Sequence, residues 1–138
     1  MAINFHPLRV KNVKKETADC VSVTLEVPEE LNQEFKFKQG QYLTFKNIHE
    51  NEEIRRSYSI CSCPLDNELK VAVKKIEDGI FSTYMNEQVK AGDVLEVMTP
   101  QGNFFTELNE NNKKLYVGIV VGSGITPVLS IVKTVLKT

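Results

Sequence analysis

Cys20-Val21-Ser22-Val23-Thr24-Leu25-Glu26-Val27 sets Val21, Val23, Leu25 and Val27 on one face and Ser22, Thr24 and Glu26 on the other. A period of two belongs to a strand with one face in a core, because successive side chains leave opposite sides of the pleat. Comparable runs rich in β-branched residues recur at Pro7–Lys14, Tyr42–Asn47, Arg55–Ile60, Leu69–Ile76 and Asp93–Met98, each bounded by turn residues. Six short strands at close intervals predict a mainly β chain, an antiparallel barrel or sandwich, and they suffice to close a six-stranded antiparallel β-barrel.

Between the fifth and sixth strands, Phe81-Ser82-Thr83-Tyr84-Met85-Asn86-Glu87 is poor in β-branched residues and predicts one short helix, with Asp78 or Ser82 as its N-cap. Three asparagines, Asn109, Asn111 and Asn112, between Glu107 and Lys114 mark a polar break. The expected organisation is therefore a barrel domain over residues 1–107, a linker over 108–114, and a strand and helix over 115–138. Leu115-Tyr116-Val117-Gly118-Ile119-Val120-Val121 lacks polar alternation and reads as a strand buried on both faces. Pro127 opens the helix behind it, and Val128, Leu129, Val132, Val135 and Leu136 give that helix an apolar side. A single βα unit builds no parallel sheet, so either the chain is a fragment or the unit packs on the barrel or on another copy of the chain, the last making a homodimer.

The composition excludes several classes. With 138 residues, 41% hydrophobic and 25% charged, the chain buries roughly two-thirds of its unfolded surface, as an ordinary globular domain does. Seventeen basic and eighteen acidic residues leave a net charge of -1, which carries no footprint for nucleic acid or an anionic membrane. The start, Met1-Ala2-Ile3-Asn4-Phe5-His6, has neither the basic segment nor the apolar run of a secretory signal, so a cytoplasmic location is expected. Gly118, Gly122, Ser123, Gly124, Thr126, Pro127 and Ser130 interrupt the uncharged span from Leu115 to Val132, which argues against a membrane helix. Cys20, Cys61 and Cys63 have neither zinc-ligand spacing nor the four members an iron–sulfur cluster needs, so no metal and no cluster is expected. His6 and His49 stand in no evident register with an acid or nucleophile.

The residues that bear chemistry lie in two short segments. In Arg56-Ser57-Tyr58-Ser59, Arg56 offers a guanidinium fork matched to phosphate oxygens and Tyr58, two residues along, an aromatic face on the same side. Ser59 points the other way in strict alternation, so a part for it at the same ligand requires the strand to end or bend there. In Gly79-Ile80-Phe81-Ser82, a glycine precedes a helix start, whose free N–H groups attract anions. Together they suit a dinucleotide with a pyrophosphate and a flat ring. Read alone, the same residues also describe a surface arginine and an ordinary turn. Lys74 and Lys75 sit near an adenylate phosphate on the first reading and form a solvated edge on the second. Gly122-Ser123-Gly124-Ile125-Thr126-Pro127 is a glycine-rich turn from strand to helix, open both to phosphates and to the geometry of any βα unit.

In order and context, these motifs resemble the ferredoxin-NADP reductase superfamily. Gly40-Gln41-Tyr42 and Pro100-Gln101-Gly102-Asn103-Phe104 match two further signatures, so the resemblance spans residues 6 to 138. It implies a Greek-key, riboflavin-synthase-like barrel that binds FAD, followed by the first βα unit of an incomplete NAD(P)-binding domain. It implies that Arg56-Ser57-Tyr58-Ser59 binds the cofactor, with Arg56 at the pyrophosphate, Tyr58 stacked on the flavin ring and Ser59 near its N5. Val73 and Lys74 line the flavin by their backbone, Gly79, Phe81 and Ser82 take the phosphates, Gly122, Ser123 and Gly124 meet the nicotinamide cofactor, and Thr126 faces the flavin. Leu69 through Gly79 and Gly122 through Lys133 most resemble the reductases of ring-oxygenase systems, which pass electrons from NAD(P)H through FAD to an iron–sulfur domain or an oxygenase component. The rest of the nicotinamide domain and the cluster cysteines are not in this sequence, so the chain as given is expected to hold flavin without completing turnover. A barrel that binds no flavin and serves as an interaction or regulatory module is the alternative, and FMN in place of FAD a further one.

Overall fold

The alternating segment forms a strand with its valines inward, and its neighbours fix the rest of the sheet. The structure is a computed structural model that describes residues 4–138. Its strands are β1 (Phe5–Thr17), β2 (Cys20–Glu26), β3 (Tyr42–His49), β4 (Glu52–Ser59), β5 (Leu69–Lys74) and β6 (Val94–Met98), with helices α1 (Ile80–Glu87) and α2 (Ile125–Lys137). All pairings are antiparallel, in the order β4-β3-β6-β1-β2-β5. The last strand thus lies between the first and third, a Greek-key course. The two edges of the sheet also meet. Ile60, one residue past β4, bridges Val71 of β5, and the Cys61 N–H donates to the Lys70 carbonyl at 2.9 Å. That seam pairs edges that would otherwise stay open, and it curls the sheet on itself as expected of the barrel.

The core fills one face. Leu8, Val10, Val21, Val23, Leu25, Leu43, Phe45, Val71, Val73, Leu95 and Val97 are buried within it, capped by Phe81 and Met85 from α1. Ser22 and Thr24, on the opposite face of β2, are also buried. They lie opposite Lys14 and Asn12 of β1 and Ala72 and Lys70 of β5, and the Ser22 hydroxyl donates to Glu16 at 2.7 Å. β1 bends through irregularities at Val10/Asn12 and Lys15/Thr17, so that its first half pairs with β6 while most of its length pairs with β2. Glu50 (φ 49) and Asn51 (φ 65) turn β3 into β4 through a two-residue, left-handed turn.

One joint ties the end of the barrel to the chain that follows β6. Tyr42 and Gln101 exchange backbone hydrogen bonds at 2.9 and 3.0 Å. The Gln41 side chain donates to the Gly102 carbonyl at 3.0 Å and that of Gln39 to the Thr106 carbonyl at 2.5 Å. Gly40 (φ 91) leaves no room for a Cβ, which would fall on the carbonyl oxygen of Phe104. The two signatures Gly40-Gln41-Tyr42 and Pro100 through Phe104 are thus the two sides of a single contact.

Three expectations need correction. The N-cap of α1 is Gly79, neither Asp78 nor Ser82, and no side chain caps it. Pro127 stands third in α2, which begins at Ile125; it is tolerated because first-turn N–H groups have no partner inside the helix. Residues 115–121 do not form a strand buried on both faces. They belong to no sheet, and Leu115, Ile119 and Val121 are exposed at 91%, 91% and 89%. A strand exists only as a pairing, and no described segment offers this one an edge. Its contact is with α2, where Gly118 faces Val128.

Candidate functional site

β4 carries the first motif along its length. Phe45 lies opposite Arg56 and Leu43 opposite Tyr58, while Thr44 and Tyr42 lie opposite Ser57 and Ser59. Directly paired residues share a face, so Arg56 and Tyr58 continue the core face defined by the buried Leu43 and Phe45, and Ser57 and Ser59 lie on the other. Tyr58 is half-buried, its ring 6.0 Å from that of Phe81 with the planes 25° apart, and 6.0 Å from that of Phe45 at 61°. Burial pushes the Tyr58 hydroxyl pKa up, with the Arg56 charge pulling it the other way. β4 ends at Ser59.

Arg56 is exposed and carries an uncommitted charge. Its Nη1 donates to the Arg55 carbonyl at 2.7 Å, and among the described residues no carboxylate pairs with it. Its neighbour Arg55 differs in being held by Glu53 at 2.6 Å. Ser57 Oγ is within 2.8 Å of Thr44 Oγ1, a contact that holds β4 to β3 on the outer face.

The second motif opens α1. The first bond reaching back from the helix runs from Thr83 N–H to the Gly79 carbonyl at 3.0 Å, so the N–H groups of Ile80, Phe81 and Ser82 have no partner inside it. Ser82 is buried, and its hydroxyl accepts from the Ile76 N–H at 3.2 Å and donates to the Gly79 carbonyl at 3.3 Å. It therefore closes the turn, and an anion at this end meets backbone N–H groups rather than that hydroxyl. A Cβ on Gly79 would press into Ser82 Oγ and the Ile76 side chain, so the glycine is required by this packing. Phe81 is buried with its ring against Tyr58, which brings the two motifs together across 23 positions of sequence.

A cleft of about 540 Å³ lies between the β3–β4 hairpin and this helix start, lined by Asn47, Ile48, His49 and Ile54 on one side and Asp78, Gly79, Ile80, Phe81, Thr83, Tyr84 and Gln88 on the other. Ile54 is two residues from Arg56 on the same strand. A larger cleft of about 750 Å³, between the end of β2, residues 32–37 and the turn at Pro64–Asp66, contains none of the motif residues.

Val73 and Lys74 end β5. Val73 is buried and its carbonyl accepts from Asn86 Nδ2 at 3.0 Å; the same amide bonds the Ser82 carbonyl at 2.9 Å. Asn86 thus fastens β5 to the first turn of α1, a role the sequence did not disclose. Lys74 is exposed, 3.8 Å from Asp19. Gly122, Ser123 and Gly124 are exposed, and the half-buried Thr126 donates its hydroxyl to the Ser123 carbonyl at 2.9 Å. The three cysteines are free; burial pushes the thiols of Cys20 and Cys61 up, which keeps them protonated. Among the described residues no cluster of His, Cys, Asp or Glu is fit for a metal ion, and no helix is long and apolar enough to cross a membrane.

An unpaired guanidinium, a helix start with free N–H groups beside a cleft, and a half-buried tyrosine packed on that helix start suit a flavin dinucleotide: anion donors at one end, a flat apolar partner at the other. Comparison with known proteins agrees. Residues 7–106 match the model of the oxidoreductase FAD-binding domain. The chain is 46% identical over 134 residues to one component of the 1,2-phenylacetyl-CoA epoxidase of Escherichia coli (strain K12), covering 97% of this chain and 38% of that protein. It is 39% identical over 131 residues to the ferredoxin reductase component of the 3-ketosteroid-9-alpha-monooxygenase of Rhodococcus rhodochrous, covering 94% and 36%. The chain thus spans little more than a third of these relatives. The FAD/NAD binding domain of nitric oxide dioxygenase from Vibrio cholerae O1 biovar El Tor superposes with a TM-score of 0.76 at 25% identity, over 99% of this chain and 58% of that one. By family model and relatives the chain belongs to the oxidoreductase FAD-binding domains, and its fold is that of the ferredoxin-NADP reductases.

Proposed function

We propose that this chain is the flavin-holding part of an NAD(P)H-dependent reductase that delivers electrons to an iron–sulfur centre or an oxygenase. The observation that carries this reading is the packing of Tyr58 on Phe81, which brings the strand that bears Arg56 against the first turn of α1 and its free N–H groups. The Arg56 guanidinium and the N–H groups of Ile80, Phe81 and Ser82 clamp the pyrophosphate from two sides. Tyr58, held in place by Phe45 and Phe81, presents its open side to the isoalloxazine. Ser59, where β4 ends, and the backbone at Val73 and Lys74 address the ring's polar edge. Bound FAD supplies the redox chemistry, accepting two electrons as a hydride from NAD(P)H and releasing them singly to a one-electron acceptor. The Gly122–Gly124 turn and Thr126 form the approach for the nicotinamide cofactor. The 46% identity to an epoxidase component supports the reductase of a phenylacetyl-CoA oxygenase as the whole protein.

The test is a visible absorption spectrum of the chain after loading with FAD and removal of free cofactor. A retained, protein-perturbed flavin band near equimolar occupancy is expected. Arg56→Ala should weaken FAD binding by about 2 kcal/mol, roughly thirtyfold, the order that removal of one partner of a charge-assisted hydrogen bond costs. A chain that keeps no flavin at micromolar concentration, or an unchanged affinity in Arg56→Ala, overturns the assignment.

A further inference from the structure

Helix α2 docks on the barrel with the side of its surface that a docking helix usually turns to solvent. Its two buried side chains are Ser130 and Thr134, at 0% and 5% exposure, whereas Ile125, Leu129, Val132 and Leu136 face outward. Apolar contact is non-directional and leaves a helix free to slide or roll on its support, whereas a buried hydrogen bond accepts one geometry. Of the two buried hydroxyls, that of Thr134 donates within the helix, to the Ser130 carbonyl at 2.6 Å. Only that of Ser130 leaves the helix, donating to the Ser62 carbonyl at 2.6 Å.

The acceptor belongs to the seam that joins the two edges of the sheet. The Ser62 hydroxyl itself accepts from the Lys70 N–H at 3.1 Å, beside the Cys61 to Lys70 bond and the Ile60 to Val71 bridge. This seam begins one residue after Ser59. Two turns along α2, about 10 Å at 1.5 Å per residue, Lys137 pairs with Asp66. Two points fix a direction, but an exposed ion pair is a weak constraint by itself. The buried hydroxyl is the stronger of the two.

We propose that Ser130 is a positioning residue: its hydroxyl, seated on the Ser62 carbonyl and seconded by the Lys137–Asp66 pair, sets the angle of α2 and with it the place of the Gly122–Thr126 loop relative to the strand that bears Tyr58 and Ser59. The consequence for hydride delivery rests on the function proposed above; the orientation itself does not.

Residual dipolar couplings of the 138-residue chain test it, because amide vectors in two bodies fit one alignment tensor only when their relative orientation is fixed. In the unaltered chain, α2 and the barrel should share a tensor. In Ser130→Ala the barrel amides should keep a common fit while those of α2 leave it. Ser130→Cys keeps the side chain's size with a weak S–H donor, opens no cavity, and should depart in the same direction. Unchanged joint fits in both variants overturn the proposal, and so does loss of the barrel's own couplings in both, which would make Ser130 a residue of the barrel's stability. The flavin band of the FAD-loaded chain separates this from the functional reading. A reoriented α2 in a chain that still retains FAD supports the clamp and leaves the flavin site standing; a chain that holds no FAD overturns the functional reading and leaves the couplings to decide the clamp alone.

Discussion

Gly40→Ala tests whether the joint between the barrel and the segment after β6 is as tight as its geometry says. Two costs are superposed at this position. A φ of 91° lies where L side chains are strained, at about 1–2 kcal/mol. A Cβ would also fall on the Phe104 carbonyl oxygen, with Ile131 Cδ1 of α2 3.3 Å away. Backbone must then move, and moving residues 102–107 breaks the hydrogen bonds of Gln41 to Gly102 and Gln39 to Thr106, at about 1 kcal/mol each. The expected loss is about 3–4 kcal/mol, a large part of a typical domain's stability. Gly92→Ala is the control, since Gly92 has a φ of 95° and nothing within 4 Å of its Cβ position. It carries the strain without the clash and should lose only about 1–2 kcal/mol. The assay is equilibrium unfolding in urea, with the slope of free energy against denaturant checked for constancy across the three proteins. If Gly40→Ala loses no more than Gly92→Ala, the contact with Phe104 is not a tight one and the reasoning fails.

Ser82→Ala removes the hydroxyl that closes the turn before α1 and leaves the Ile76 N–H unsatisfied, so stability should fall by about 1–3 kcal/mol in the same assay. Because an anion there meets backbone N–H groups, FAD affinity should fall far less than in Arg56→Ala. Glu50→Asn should raise stability by about 0.5–1 kcal/mol, read as a higher urea midpoint, since asparagine tolerates the left-handed conformation that Glu50 (φ 49) adopts in the β3–β4 turn. The hydrogen bond and charge of Lys137 hold the Asp66 carboxyl below its ordinary value. A depressed carboxylate stabilises the fold above its unfolded pKa of about 4, and that contribution is lost as pH falls through the lower folded value. Carboxyl-carbon NMR should therefore show Asp66 titrating below the ordinary range, and Lys137→Ala should return it upward.

What the sequence revealed and what it hid divide along physical lines. The barrel was legible because each strand advertises itself locally: alternation in Val21 through Val27 follows from one buried face, whatever that face packs against. The burial of Ser22 and Thr24 was not, since it depends on side chains from β1 and β5. Arg56, Tyr58 and Gly79 were recognisable as chemistry-bearing types, yet the sequence did not show that Ser82 is engaged inside its own turn or that Asn86 ties β5 to α1. Residues 115–121 read as a buried strand because composition records what a segment can pair with; here no described segment pairs with it. Ser130 reads in the sequence as a break in an apolar span, whereas a serine and a threonine four apart in such a run are also a signal that one side of it meets polar backbone.

The two parts of the chain are held by different forces, and the difference bears on function. The barrel coheres through an interior of valine, leucine and phenylalanine, so the position of Tyr58 and the course of the strand that bears Arg56 are set by close packing that no single contact controls. Helix α2 has little such packing against the barrel; its place depends on the Ser130 hydroxyl, the Lys137–Asp66 pair and the contact of Ile131 with Gly40. A flavin site requires fixed walls, because the ring must keep one orientation while electrons enter and leave. The segment proposed to admit a second cofactor requires a defined angle with a small number of adjustable determinants. Substitutions in the core should therefore change how much protein folds, whereas substitutions at Ser130 or Lys137 should change how its parts face each other while the flavin stays in place.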